Sequence, residues 1–240
     1  MVTNSLASLV VCAGAVLLVL SAALGPESLN AGVAIALLAS LLLGLRGAAA
    51  TSERNQWSRS LAAILYAGLP LALLVALREA TGPGLTLFLP PASTLLTVDR
   101  GVLWVLIALT TTWATDVFAY ASGRVAGHHL FAPALSPRKT WEGTLGGVVA
   151  GTATFAAWGA ALGWPGALSI VAGMLTASAA VAGDLVESGL KRQAGVKDAG
   201  SLLPGHGGLL DRIDSLAFSA VVVFLMKTLG DVVPSLRLGS

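Results

Sequence analysis

The sequence predicts an all-α integral membrane protein crossing the bilayer about seven times. Three observations predict it. Of 240 residues, 55% are hydrophobic and only 11% are charged, whereas a soluble domain carries roughly 25% charged residues. Apolar runs close to the ~20 residues needed to span a bilayer recur along the whole chain. The basic residues then segregate to one set of connecting loops, as positive-inside topology requires. The mean hydropathy of +0.83 agrees.

Taken in order, the apolar segments are 5–24, 31–45, 61–77, 102–121, 145–162, 167–183 and 215–233. No Lys or Arg precedes the first and no leader-peptide cleavage pattern stands out, so it is read as a retained span. It holds Cys12, the one cysteine, which excludes an internal disulfide. The second is short for a full span. Residues 84–98 are moderately apolar, but Pro83, Pro90 and Pro91 interrupt them, so a loop is expected there. The fourth, sixth and last segments carry Asp116, Asp184 and Lys227 at or near their ends. No internal repeat and no low-complexity linker is visible, so 1–240 is read as a single membrane domain.

Seven spans place loops 46–60, 122–144 and 184–214 on one side. These carry ten Lys or Arg residues: Arg46, Arg54, Arg59, Arg124, Arg138, Lys139, Lys191, Arg192, Lys197 and Arg212. The other side has three: Arg78, Arg100 and Arg237. Lys227 snorkels from the last span toward that second side. The bias assigns the first side, and the N-terminus, to the cytoplasm.

The two long cytoplasmic loops hold almost all the unusual polar residues. In the second, read as a helix, Asp184, Ser188 and Lys191 share one face with Glu187 beside them. Asp211, Asp214 and Ser215 share a face where the last span begins. Between them Pro204, Gly205, Gly207 and Gly208 make a tight turn around His206. Two carboxylate clusters at a membrane edge repel each other unless a cation lies between them. A hard divalent ion such as Mg²⁺ suits such oxygen ligands. With Lys191, Arg192, Lys197 and Arg212 nearby, the set has what a metal-bound nucleoside triphosphate needs. Ordinary solvated loop charges account for the basic residues, but not for Asp184 and Asp214 where apolar spans end or begin.

The first long loop reads Ser136-Pro137-Arg138-Lys139-Thr140-Trp141-Glu142-Gly143 ahead of an apolar run. Thr140 or Ser136 is placed to cap the following helix, and its free N–H groups beside Arg138 and Lys139 would form an anion site. Upstream, Asp116 and Tyr120 are four residues apart and face the same way, so Asp116 can reach the same polar cavity. His128 and His129 are adjacent and read as surface residues. No Walker-type phosphate loop, nucleophile elbow or zinc spacing is present.

The run from Ser188 through Leu190-Lys191-Arg192, Lys197-Asp198, Gly200, Leu203-Pro204, His206-Gly207-Gly208-Leu209 and Asp211-Arg212-Ile213-Asp214 resembles the signature of the phosphatidate cytidylyltransferases, or CDP-diacylglycerol synthases. The stretch 136–143 resembles a second block of that family, with Arg138 where Lys is usual, and 115–120 a weaker third. These cover roughly the C-terminal half; the N-terminal spans match only in being apolar.

The resemblance implies a multi-span helical fold, often homodimeric, with a polar cavity open to the cytoplasm and the bilayer. Residues 1–100 would hold N-terminal spans and 101–233 the catalytic part. It implies CTP and phosphatidate as substrates and pyrophosphate as product, with Mg²⁺ on Asp184 and Asp211, joined by Asp214, and a second cation as an option. Lys191, Lys197 and Arg212 would act with Asp184 and Asp211 in catalysis. Substrate contacts are expected from Ser136, Arg138, Lys139, Ser188, Arg192, Asp198, His206 and Asp116. The expected setting is a bacterial inner or plasma membrane, with no nucleic-acid partner. A related enzyme making CDP-archaeol, or a CTP-dependent polyprenol kinase, is the nearest rival. A transporter fits less well, because it would carry charges at mid-membrane, often in repeated halves.

Overall fold

The structure is a computed structural model that describes residues 5–33, 35–36, 54–89, 94–196 and 210–232. Side chains are described for most of these. The chain divides into two compact units, Met1–Ala80 and Thr81–Ser240.

In the first unit, helix α1 (Ser5–Ala23) packs on α2 (Arg54–Arg78). α1 and the Ser60–Arg78 part of α2 are strongly apolar, as helices embedded in protein and lipid must be. Small residues allow the approach: a Cβ on Gly68 would lie 2.8 Å from Ala15 Cα. Pro70 lies inside α2, a position tolerated in spans where neighbours satisfy the freed carbonyl. The expected segment 31–45 falls almost wholly outside the described residues.

The second unit is built from four helices: α3 (Arg100–Ala126), α4 (Trp141–Ala161), α5 (Gly166–Gln193) and α6 (Leu210–Val232). α3 packs on α4, α5 packs on both α4 and α6, and α3 also touches α5 and α6. The core between them is formed by Leu103, Trp104, Ile107, Phe155, Ala177, Ala220 and Val223. Trp158 Nε1 donates to Thr110 Oγ1 at 2.9 Å, and the hydroxyls of Thr112 and Ser219 share a hydrogen bond of 2.6 Å. These bonds tie α4 and α6 to α3 where water is absent. Trp113, Val117, Phe118, Leu145, Val149, Ile170 and Met174 point outward. Large apolar side chains exposed around the outside match a lipid surround.

Six of the seven expected apolar segments are helices. Among the described residues, four stretches are long and apolar enough to cross a membrane: Ser60–Arg78, Arg100–Ala126, Gly166–Gln193 and Ile213–Gly230; Leu9–Ala23 is shorter. Two expectations are corrected. The loop expected over 84–98 contains an antiparallel hairpin, β1 (Leu85–Leu89) with β2 (Thr94–Val98), pairing Leu85 with Val98 and Leu89 with Thr94. The loops expected to begin at 122 and 184 begin later, because α3 runs to Ala126 and α5 to Gln193, the latter in line with the helical reading of 184–191. Polar i,i+4 pairs such as Tyr120–Arg124 and Glu187–Lys191 continue those helices past their apolar parts. A second hairpin, β3 (Leu130–Ala132) with β4 (Ser136–Thr140), joins α3 to α4, with Phe131 edge-on to Trp141 at 4.5 Å.

Glycines set how closely α3 and α4 approach. A Cβ on Gly147 would lie 2.6 Å from the Thr115 carbonyl oxygen and 2.7 Å from Ala119 Cβ; on Gly166 it would meet nothing within 4 Å. Gly147→Leu is therefore expected to cost about 1–3 kcal/mol or more, while Gly166→Leu leaves stability nearly unchanged. Thermal unfolding of the purified variants in detergent checks this. Equal melting temperatures would contradict the packing described here.

Candidate active site

The polar ends of all four helices of the second unit meet β4 around a cavity of about 690 Å³. α3 supplies Asp116, Tyr120 and Arg124, spaced four residues apart on one face. β4 supplies Arg138, Lys139 and Thr140, α5 supplies Asp184 and Lys191, and the start of α6 supplies Asp214 and Ser215. Gly183 lets α5 approach α6 closely: a Cβ there would collide with the Asp214 carbonyl oxygen. That contact brings Asp184 beside Asp214.

The charges interlock. Lys139 Nζ lies 2.6 Å from Asp184 Oδ2, both side chains half-buried. Ser188 Oγ donates to Asp184 Oδ1 at a long 3.4 Å. Ser215 Oγ donates to Asp116 Oδ1 at 3.3 Å, and the Ser215 N–H donates to Asp214 Oδ1 at 2.7 Å. Lys191 Nζ donates to Glu187 Oε2 at 2.8 Å, and Glu187 is 1% exposed. Arg124 Nη1 donates to the Tyr120 hydroxyl at 2.9 Å. The Lys139 ammonium thus sets one positive charge directly against Asp184.

Of the two residues expected to cap α4, Thr140 is the one that does so. Its Oγ1 accepts from the Gly143 N–H at 3.2 Å, and the Trp141 N–H donates to the His129 carbonyl at 2.9 Å. Glu142 in the same turn accepts from the His128 and His129 N–H groups and from His129 Nδ1 at 2.6 Å. Those bonds, the His129 side chain first, hold the Glu142 carboxyl down at about 2; it precedes the apolar stretch that begins at 145. With N–H groups taken and an acid in the turn, this helix end has little left for an anion. The positive charge around the cavity comes from the side chains of Arg124, Arg138, Lys139 and Lys191.

Of the residues singled out from the sequence, Asp116, Arg138, Lys139, Asp184, Lys191 and Asp214 line this one cavity. Ser188 stands behind Asp184. Ser136 is at the far end of β4, paired with Ala132, and Arg192 Nε turns toward the Leu135 carbonyl at 3.5 Å; neither lines the cavity. Lys197, Asp198 and His206 lie outside the described residues, as do the side chains of Asp211 and Arg212. Arg124 lines the cavity but was counted only as a loop charge. Its signal was the spacing Asp116-Tyr120-Arg124, legible only if α3 is extended past 121. Glu187 was noted beside the acidic face, with no sign that it is buried beneath Lys191.

A model of the cytidylyltransferase family matches residues 2–229. The chain belongs to the cytidylyltransferase family. Among curated proteins of that kind, a phosphatidate cytidylyltransferase of Mycobacterium tuberculosis is 44% identical over 135 residues, covering 55% of this chain and 40% of the relative. The phosphatidate cytidylyltransferase 4, chloroplastic, of Arabidopsis thaliana is 44% identical over 126 residues, covering 52% and 32%. A phosphatidate cytidylyltransferase of Brucella abortus is 40% identical over 126 residues, covering 52% and 47%. In each case the match spans under half of the relative's length. For a cytidylyltransferase-family chain, a cavity lined by three carboxylates and four cations is the place to look for the chemistry.

Proposed function

We propose that this chain is a phosphatidate cytidylyltransferase, converting CTP and phosphatidate to CDP-diacylglycerol and pyrophosphate at the cytoplasmic rim of a membrane. The observation that carries the reading is the single cavity that gathers Asp116, Asp184, Asp214, Arg124, Arg138, Lys139 and Lys191 at the polar end of an apolar bundle. The names of the relatives supply the substrates. The basic residues at that end favour the cytoplasmic side, and a homodimer is part of the same reading.

The reaction as proposed needs little acid–base help. A phosphatidate oxygen attacks the α-phosphorus of CTP and pyrophosphate leaves. A phosphate monoester has a second pKa of about 6, so the nucleophile is already ionised near neutral pH. The barrier is repulsion between two polyanions together with charge growing on the leaving group. Lys139 and Lys191 are placed to hold phosphate oxygens, each aimed by a carboxylate behind it.

The donor set suits Mg²⁺: three carboxylates on three helices face one cavity. Among the described residues, no group of three or more His, Cys, Asp or Glu side chains is gathered tightly enough to hold a metal by itself. That agrees with an ion bound through one or two carboxylates plus water and substrate phosphates. Asp184 and Asp214, with Asp116 and Asp211 as further candidates, would hold it, and when bound it would neutralise phosphate oxygens.

The test is incubation of the purified chain with labelled CTP, phosphatidate and Mg²⁺, with analysis of lipid and soluble products. Labelled CDP-diacylglycerol plus pyrophosphate is expected, with activity lost in excess chelator. Release of CDP with a phosphorylated lipid would replace the reading by a lipid kinase. Full turnover in chelator would remove the metal from it.

A further inference from the structure

The four cations around the cavity are not equivalent. Lys139 and Lys191 are engaged by Asp184 and Glu187 at 2.6 and 2.8 Å. Arg124, by contrast, bonds the neutral Tyr120 hydroxyl, and Arg138 meets no acid within ion-pair distance among the described residues. Both guanidinium groups line the same cavity from different elements, α3 and β4. Two guanidinium groups without an acid partner on the wall of one hollow make its potential more positive, which favours an anion there. A planar guanidinium presents paired N–H donors that match a phosphate's oxygens, which a lysine cannot reproduce.

Their position favours one source of phosphate over the other. Arg124 is in the last turn of α3, past the apolar part of the helix. The flank of α3 beside it carries exposed Val117, Phe118, Tyr120 and Val125, the last 87% exposed. Arg124 therefore stands where the lipid-facing surface passes into the polar hollow, the depth of a phospholipid headgroup. Asp116 lies two turns before Arg124 on the same face of α3, and Asp184 and Asp214 lie on α5 and α6; that end of the cavity would repel a bare phosphate dianion, while suiting a metal-bound nucleotide.

Building on the cytidylyltransferase reading above, we infer that Arg124 and Arg138 form a subsite for the terminal phosphate of a membrane phosphomonoester lipid, separate from the carboxylate side that takes the nucleotide. Tyr120 orients Arg124 by accepting one of its N–H bonds, leaving the rest of the fork for the lipid.

The same phosphate chemistry is carried by the nucleotide's own tail, so the test separates the two. Calorimetric titration of the detergent-purified full chain uses dihexanoyl phosphatidate, dihexanoyl phosphatidylcholine and Mg-CTP in separate runs. Arg124→Gln and Arg138→Gln are each expected to weaken phosphatidate binding by about tenfold or more, with Mg-CTP affinity within about twofold of the parent. Arg124→Lys should fall between, because it keeps the charge and loses the fork. Phosphatidylcholine, with its phosphate esterified, should bind far more weakly than phosphatidate to the parent. The inference is overturned if the glutamine variants bind phosphatidate normally, or lose Mg-CTP to the same extent. Phosphatidylcholine binding as tightly as phosphatidate also overturns it. A parent that binds both ligands, with glutamine variants that bind phosphatidate as it does, removes this subsite alone; a parent that binds no phosphatidate removes the phosphatidate cytidylyltransferase reading as well. Unchanged melting temperatures of the variants tie any loss to the subsite and not to the fold.

Discussion

Asp184→Asn is expected to lower kcat/KM for CDP-diacylglycerol formation by about 10²–10³-fold while the chain still inserts and folds. Asp184 is the carboxylate on which the cavity's electrostatics converge: Lys139 pairs with it at 2.6 Å, Ser188 donates to it, and Gly183 seats it against the start of α6 beside Asp214. The asparagine has the same shape but no charge. It would leave the Lys139 ammonium without its counter-charge and remove a hard ligand from the proposed metal position. The loss should be greater at low Mg²⁺ and partly relieved by raising it. Steady-state kinetics across Mg²⁺ concentrations check this. Near-parental turnover in folded Asp184→Asn protein would count strongly against the site described here, and the corresponding change at Asp211 tests the same proposal from the other helix.

A second large effect is expected at Glu187. Its carboxylate is almost completely buried, bonds Lys191 at 2.8 Å, and lies within hydrogen-bonding reach of the Asp214 side chain. Breaking a fully buried pair costs about 3–5 kcal/mol. Lys191 retains some contact with the cavity, so a smaller loss of about 1–3 kcal/mol is expected for Glu187→Gln. Turnover should fall with stability, because Lys191 is no longer held toward the cavity. Glu187→Asp keeps the charge on a shorter stem and should recover part of both. Thermal unfolding and steady-state kinetics on the same preparations measure the two effects. A Glu187→Gln protein with parental melting temperature and parental kinetics would show that the Glu187–Lys191 pair positions nothing.

Much of the site was legible before any coordinates because its chemistry is costly in a membrane. Asp116, Asp184 and Asp214 stood out as acids at the margins of apolar runs, and charge in such places needs a compensating reason. Arg138 and Lys139 were marked by their place ahead of a capped helix, and the cap is indeed Thr140. Arg124 and Glu187 were not marked, for two different reasons. Arg124 belongs to the site only because α3 continues beyond its apolar part, and hydropathy does not report that. Glu187 looks like any other acid on a polar helix end, since burial beneath a neighbouring helix leaves no trace in the local sequence. The hairpin at 85–98 was hidden by prolines, which read as loop until the strands on either side are seen to pair.

Composition and charge distribution by themselves determined that this protein is built of apolar helices, with its charged residues gathered toward their ends. Apolar runs long enough to span a bilayer, and the cost of an unsatisfied backbone polar group in hydrocarbon, leave few alternatives. Only the tertiary structure decided which polar residues meet. Asp116, Lys139, Asp184 and Asp214 come from four separate elements, and they share one hollow because Gly143, Gly147 and Gly183 allow backbones to pass at distances a side chain would block. Those approaches also separate the paired lysines from the uncompensated arginines. That distinction depends on distances of a few ångströms between elements far apart in the chain, which no local pattern encodes.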